Sequence, residues 1–498
     1  MRNKVIMVYP KMGFTGNFVK HIPLSLLYAS SEIVKAGINV ELFDVRVFPN
    51  SWEKGLEKIL SHDVSIVGIS VMTGQPIKNA IEIGRFVKSL NSKIKIVWGG
   101  PHCTFYPETC FQEWSCDYVV SGYGSRPFYE LVTQIEDNKD PEKIKGVYYR
   151  KDQQIKGTPY EKEFEFVDYR EIPYHLIKDY SVYGQFDDNK VVFSIYSAMG
   201  CPYKCAFCSS PAQYKDFKKQ WVPFEVSEVV NHVKYVVENY GATYIYFIDD
   251  DSFVNLKYIE SIIDEISRRG INVKLGFRGA RINEIKKMSD EFIDKLAQSG
   301  TDIMHIGAES GSNRILELVR KNCTVEDILE CNMKLKKHPK IRVGYNFIFG
   351  IPTETMEEAK MTRDLMLKLV SDNPDCLIFP PNKYRPLPKT ELFDFAVKKW
   401  GFAIPVQLAD WINIELDGKF HSPWHPDGFD RFYNLILFGS NFIDDKVFKI
   451  TLGKSLLYKT LRIVCIIYKP IIIFRIKYNI SVFFIEWHLY KLLMKYFK

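Results

Sequence analysis

Val191-Val192-Phe193-Ser194-Ile195-Tyr196-Ser197-Ala198-Met199-Gly200-Cys201-Pro202-Tyr203-Lys204-Cys205-Ala206-Phe207-Cys208 is the stretch whose reading decides the fold. Its first six residues read as a buried strand. The loop after them places three cysteines at C-x3-C-x2-C, with Phe207 directly before the third. Thiolates are soft ligands, suited to zinc, copper(I) or iron–sulfur clusters. The usual cubane takes four cysteines, so a lone triplet leaves one iron open to a small molecule. A structural zinc site needs a second Cys or His pair at similar spacing. None is present downstream, where the nearest histidine is His232. An odd triplet in a chain that reads as intracellular also argues against a disulfide.

Working outward, the 498 residues allow two or three domains, and 46% hydrophobic with 26% charged residues is an ordinary globular balance. The first residues run straight into a strand and lack the apolar core of a signal peptide. A reducing cytoplasm is expected. The net charge of +7 is unevenly spread. Lys446 to Lys498 hold eleven Lys or Arg against one acid, Glu486, so the excess lies in the tail. It gives the core no reason to bind nucleic acid.

Before the cysteine stretch, short apolar runs alternate with helical ones. Strands are expected at residues 4–9, 40–44, 64–70, 94–100 and 117–120, with helices at 23–36 and 76–90 between them. This predicts a doubly wound parallel sheet, which binds ligands at the carboxyl ends of its strands. The loops there hold Ser70, Thr73 and Gly74, then Gly99, Gly100 and His102, then Gly122 and Gly124. Such glycines let backbone approach a large flat ligand, and equally serve tight strand-to-helix turns. Residues 141–190 read as a linker with a small hairpin. From Val191, strands at 243–248, 273–277, 302–307, 342–348 and 376–379 make six β/α units, a partial barrel open at one side. Asp249, Asp250 and Asp251 come directly after the second barrel strand. Carboxylates there suit an ammonium, a ribose hydroxyl or Mg²⁺, or cap the next helix. Glu309, Asn346 and Gly350 end later strands. His305, inside a core strand, is the one scattered histidine set apart.

The triplet Cys201, Cys205 and Cys208 with Phe207 resembles the cluster loop of the radical S-adenosylmethionine (radical SAM) superfamily, and Gly99-Gly100-Pro101-His102 resembles its cobalamin-binding branch. The resemblance covers about residues 1 to 400. It implies a 4Fe-4S cluster on the three cysteines, S-adenosylmethionine on the open iron, and cobalamin on the N-terminal domain. In this resemblance Asp249 to Asp251 take the methionine ammonium, Glu309 and Asn346 lie beside ribose and methionine, and Gly350 lies near adenine. Ser70, Thr73, Gly74, Gly99, Gly100, His102, Gly122 and Gly124 face the cobalamin. The absence of Asp-x-His-x-x-Gly implies no protein imidazole from that motif on cobalt. Two departures stand out: Gly122-Tyr123-Gly124-Ser125 lacks the branch's two acids, and Lys389 replaces the glycine of its Pro-Gly-Thr motif. Arg320-Lys321-Asn322, which recurs in the branch, reads as helix termination.

The implied architecture is a Rossmann-like cobalamin-binding domain (1–140), a linker (141–190), a partial (β/α)6 radical SAM core (191–400) and a helical, basic, amphipathic extension (401–498). The implied activity is C-methyl transfer to an unactivated carbon through a 5′-deoxyadenosyl radical and methylcobalamin. Cyclisation, ring contraction or carbon–carbon bond formation is the alternative, and a non-catalytic cobalamin or metal sensor a third. A small-molecule or lipid-like substrate and a reductant such as flavodoxin or ferredoxin are the expected partners. Residues 401–445 are expected to pack over the barrel mouth. The last fifty residues suit either peripheral contact with an anionic membrane or a helical cap docked on the protein.

Overall fold

The computed structural model describes residues 4–11, 21–48, 51–61, 63–183, 191–414, 422–446, 456–482 and 484–488. His62, the end of the linker at 184–190 and the tail at 447–455 and 489–498 lie outside them.

The N-terminal sheet contains β1 (Lys4–Tyr9), β2 (Val40–Asp44), β3 (Val64–Ser70), β4 (Lys95–Gly99), β5 (Tyr118–Val120), β6 (Val147–Lys151) and β7 (Gln154–Gly157). Its order is β2-β1-β3-β4-β5-β6-β7. The first five strands are parallel. The hairpin β6–β7, expected inside the linker, extends this sheet antiparallel to β5. Side chains alternate between two cores, as strand geometry requires. Val5, Met7, Ile66, Val97 and Val120 pack under helices Leu24–Lys35 and Ser125–Glu136. Ile6, Val8, Val67, Ile69, Ile96 and Trp98 face the other way, against helix Gln75–Leu90 and residues of helix Glu391–Trp400.

The second domain begins with β8 (Val192–Ile195), followed by the short antiparallel pair β9 (Ala198–Gly200) and β10 (Trp221–Pro223). Then come β11 (Tyr244–Phe247), β12 (Lys274–Phe277), β13 (Ile303–Glu309), β14 (Arg342–Phe349), β15 (Leu377–Ile378) and β16 (Asn382–Lys383). Parallel pairing runs β8-β11-β12 and β13-β14-β15, and a parallel bridge from Ala280 to Ile306 joins the two sheets. The result is the expected six-stranded partial barrel. Phe193, Phe247, Phe277, Ile306, Tyr345 and Phe347 are buried among its outer helices.

Two cores cross the domain boundary. Ile22, Leu24 and Leu27 of the first domain belong to the barrel's core, and Ala206, Ile315 and Ile351 of the barrel belong to the first domain's core. Residues expected to pack over the barrel mouth divide between the two bodies. Trp411 packs on His102 and Tyr106, with ring centroids 5.7 and 4.7 Å away, whereas Trp424 Nε1 donates to the Gly350 carbonyl at 2.7 Å. Lys389 adopts φ +60, so the turn keeps the left-handed form that glycine favours.

Phe277 is wedged between Phe247 and Phe253, with centroids at 5.0 and 5.4 Å. Phe277→Ala should destabilise the chain by roughly 3–5 kcal/mol in urea denaturation, because the rigid barrel wall cannot close the cavity.

Candidate active site

The cysteine loop leaves β8 through Tyr196 and Ser197, at the carboxyl end of the barrel where such folds place their chemistry. A buried carboxylate fixes its start. Asp249, two residues beyond β11, accepts from Ser197 N at 2.7 Å, Ser197 Oγ at 2.6 Å and Ala198 N at 3.0 Å. Burial raises its pKa to about 6 against the pull of these bonds. Gly200 then turns with φ +81, and a Cβ there would lie 2.3 Å from the Gln220 carbonyl oxygen. Ala206 is held from two sides: its N–H donates to the Val319 carbonyl at 3.1 Å and its carbonyl accepts from Leu392 N at 2.9 Å. The Cys208 N–H closes a turn on the Cys205 carbonyl at 3.1 Å.

All ten cysteines are free thiols. Cys205 is buried, while Cys201 and Cys208 are half-buried. Among the described residues no three His, Cys, Asp or Glu side chains converge to hold one ion. Three soft thiols on one short loop fit an iron–sulfur group by the chemistry of the donor set. Burial pushes the Cys201 and Cys208 thiols up, and Asp250 adds to this at both. Cys205 has the opposite neighbour: Arg281 Nη1 donates to its Sγ at 2.8 Å.

Arg281 is itself locked in place. Its Nη2 donates to the Lys321 carbonyl at 2.8 Å and its backbone N–H to Glu284 Oε2 at 2.9 Å. Tyr203 donates to Glu284 Oε1 at 2.6 Å, and its ring lies 4.1 Å from the guanidinium carbon. Burial and then Glu284 push the Asp251 carboxyl well up. Asp250 remains at the surface, accepting from Ser210 Oγ at 3.1 Å.

Glu309 is buried, adopts φ +65, and accepts from Lys321 Nζ at 2.7 Å. A left-handed glutamate at a strand end is costly backbone, of the kind found at functional sites. Gly307 leaves the space: a Cβ there would sit 2.2 Å from Glu309 Oε1 and 2.6 Å from Lys321 Nζ. Asn346 lies opposite Gly307 in the β13–β14 register. Gly350 is covered by the rings of His425 and Phe429 and donates its N–H to Glu354 Oε2 at 2.5 Å. Burial raises the pKa of Glu354 to about 8, and its Oε1 has no hydrogen-bond partner among the described residues.

Between the sheet's carboxyl edge and the barrel runs a cavity of about 220 Å³. Ser70, Gly99, Gly100, Gly122 and Gly124 line it from the sheet, and Tyr196 and Met199 from the approach to the cysteine loop. Thr73, Gly74 and His102 are not among its walls. His102 is fully buried behind them, next to Thr73 Oγ1 at 3.1 Å, and burial lowers its pKa to about 4. Glu165, from the connecting segment, lines the cavity and accepts from Ser125 N at 3.2 Å and Arg126 N at 2.8 Å. It supplies a carboxylate at the helix start where the loop Gly122–Ser125 has none.

Sequence profiles match on both sides of this cavity: the B12 binding domain over residues 18–132 and the Radical SAM superfamily over residues 195–366, together more than half of the chain. The chain belongs to the cobalamin-binding radical SAM family. Its relatives include an uncharacterized methyltransferase of Pyrococcus horikoshii, 28% identical over 79% of this chain and 83% of that protein. Another is the anaerobic magnesium-protoporphyrin IX monomethyl ester cyclase of Rubrivivax gelatinosus, 25% identical over 76% of this chain and 68% of that one. The fold matches the radical S-adenosylmethionine methyltransferase TsrM of Kitasatospora setae, solved with cobalamin and a [4Fe-4S] cluster bound. Its TM-score is 0.68 at 18% identity, covering 96% of this chain and 100% of that one.

For a radical SAM protein, sequence reasoning found the cysteine loop but missed Arg281, Glu284 and Glu165. Arg281 lies four residues beyond a core strand, a position that marks it for attention. Lys321 does end a helix, between the left-handed Arg320 and Asn322, yet it also neutralises Glu309. Nothing local distinguishes Glu165, which becomes relevant only through docking.

Glu354 has a folded pKa above the ordinary glutamate value of 4.5, so its stabilising contribution is complete below that pH. It is lost as pH rises through about 8. Glu354→Gln should flatten the fall in urea midpoint between pH 6 and pH 9 that the wild type shows.

Proposed function

We propose that this chain is a cobalamin-dependent radical SAM enzyme that transfers a methyl group to an unactivated carbon. One observation carries the reading. Met199, two residues before Cys201, lines the same cavity as the sheet's Gly99, Gly100, Gly122 and Gly124. The glycine-lined cavity thus reaches to within two residues of the first thiol, which supports a reaction using both cofactors. When bound, the 4Fe-4S cluster, S-adenosylmethionine and cobalamin supply the electron, the radical and the methyl group.

The chain's residues orient and shield. Cys201, Cys205 and Cys208 would hold the cluster, with the half-buried Phe207 packed against the first domain's core beside it. Asp249 is committed to Ser197 and Ala198, so Asp250 is the carboxylate of that turn left to meet a methionine ammonium. The exposed Arg278, at the end of β12, lies close enough to attract Asp250 electrostatically, and the two suit the zwitterionic end of an amino acid. Glu309 and Asn346 present polar groups toward a ribose, with Gly350 beyond them. Ser70, Gly99, Gly100, Gly122 and Gly124 would cradle the cobalamin, with Thr73, Gly74 and His102 bracing that wall from behind. A small-molecule substrate and an external one-electron reductant complete the reaction. The cyclase relative supports ring formation as the second reading.

Anaerobically reconstituted protein should bind iron and cobalamin and form 5′-deoxyadenosine and a methylated product, and Cys205→Ala should lose the deoxyadenosine. Gly99 has ordinary φ, and a Cβ there would meet Val120 at an unstrained 3.6 Å. Gly99→Val should thus fold, keep its iron, and bind cobalamin at least tenfold more weakly. Bound cobalamin with neither iron nor deoxyadenosine in the wild type would favour the sensor instead.

The C-terminal helix Leu456–Lys477 supports peripheral contact with an anionic membrane and a lipid-like substrate. Ile472 and Ile476 are buried, the latter against Gly439 of helix Phe429–Gly439. Ile463, Ile466, Ile467, Ile471 and Phe474 are exposed, in a segment rich in lysine and arginine. Among the described residues no helix is long and apolar enough to cross a membrane. Wild type should co-sediment with phosphatidylserine-containing vesicles but not neutral ones, and Ile467→Asp should weaken this several-fold. No sedimentation with either vesicle would leave the helix as a docked cap.

A further inference from the structure

The three cysteines sit in unequal fields. Cys205 is buried and touches a guanidinium, Arg281 Nη1 at 2.8 Å from Sγ. Cys201 and Cys208 are more open and feel the carboxylates of the Asp249–Asp251 turn. The cation is held by built contacts: the Lys321 carbonyl accepts from Nη2 at 2.8 Å and the Tyr203 ring covers the guanidinium, while the Arg281 backbone N–H donates to Glu284 Oε2 at 2.9 Å. A second buried cation, Lys321, is neutralised by Glu309 at 2.7 Å. Arg281 has Glu284 beside it, but Glu284 is shared with Tyr203 and Asp251.

We propose that Arg281 is a positioning residue that sets the reduction potential of the iron–sulfur group through its hydrogen bond to Cys205, with Glu284 opposing it. Hydrogen bonds to ligand sulfur and net local charge are the levers a protein has on such a potential. Reduction adds one electron, taken from an external donor, and that negative charge is stabilised by a guanidinium in a low-dielectric setting. Arg281 therefore makes the group easier to reduce. Glu284, which accepts from the Arg281 backbone N–H and acts electrostatically on its guanidinium, weakens that field and keeps the group a strong reductant. This inference rests on the cysteines holding the cluster.

The test is an anaerobic redox titration of the reconstituted full-length protein with dithionite. Iron and sulfide per chain are measured first, and the reduced fraction is then read by electron paramagnetic resonance. Arg281→Gln should load iron and show a tenfold lower ratio of reduced to oxidised cluster at fixed potential. For a one-electron couple that is a midpoint about 59 mV more negative. Arg281→Lys, which keeps the charge without the fork, should shift less. Glu284→Gln keeps an acceptor oxygen for the Arg281 N–H, with its NH2 turned to the Tyr203 hydroxyl as donor, but removes the opposing charge, so its midpoint should move positive. Opposite signs at adjacent residues cannot come from loosened packing alone. Loaded Arg281→Gln with an unchanged midpoint would overturn the inference while leaving the cluster reading intact. If Arg281→Gln takes up no iron, Glu284→Gln decides, and an unchanged or negative shift would overturn it. A wild type without iron would overturn both.

Discussion

Asp249 makes the loop of thiols part of the barrel instead of an appendage to it. Its carboxylate bonds the backbone of Ser197 and Ala198, and so ties the exit of β8 to the end of β11. Without that tie, Gly200 and the pair β9–β10 would have no fixed origin, and three cysteines on a short loop would have no fixed direction. The arrangement is costly, since burial alone disfavours the charge on Asp249. Three hydrogen bonds offset the cost, as a buried carboxylate requires. Distant parts of the chain serve the same loop: Val319 and Leu392 clasp Ala206, and Tyr203 reaches Glu284.

Charge is managed on the barrel mouth by pairing rather than by exposure. Lys321 meets Glu309 within hydrogen-bond distance in buried surroundings, and the Arg281 guanidinium meets the Cys205 sulfur while its backbone N–H bonds Glu284. A buried pair of this kind adds little net stability, because desolvation cancels much of the attraction. What it provides is a defined direction for each group. The left-handed Glu309 fits that view, as its strained backbone aims a carboxylate across the space that Gly307 leaves empty.

The cavity between the domains results from how the two bodies share their cores. Ile22, Leu24 and Leu27 enter the barrel's core, and Ala206 and Ile351 enter the core beneath the sheet. Apolar surface buried in both directions fixes the sheet's carboxyl edge against the barrel mouth. Glycines at that edge then leave room instead of filling it. Glu165, carried in by the connecting segment, completes the wall and satisfies the first N–H groups of helix Ser125–Glu136.

By itself the sequence determined the strands, their order along the chain, the six β/α units and the thiol loop. Those depend on local periodicity and on residues close in the chain, which pattern reading captures. It also marked Asp249 and Glu309 as unusual, since acids at the ends of apolar strands must find partners. Only the tertiary structure decided which partners they found. It gave Asp249 to Ser197 instead of leaving it open, placed Arg281 against Cys205 across 76 residues of chain, and set His102 behind the cavity wall. It also sent β6–β7 into the sheet and split the aromatic segment between Trp411 and Trp424. Such pairings are chosen by packing between elements far apart in sequence, where a charged or aromatic residue carries no mark of the neighbour it will meet.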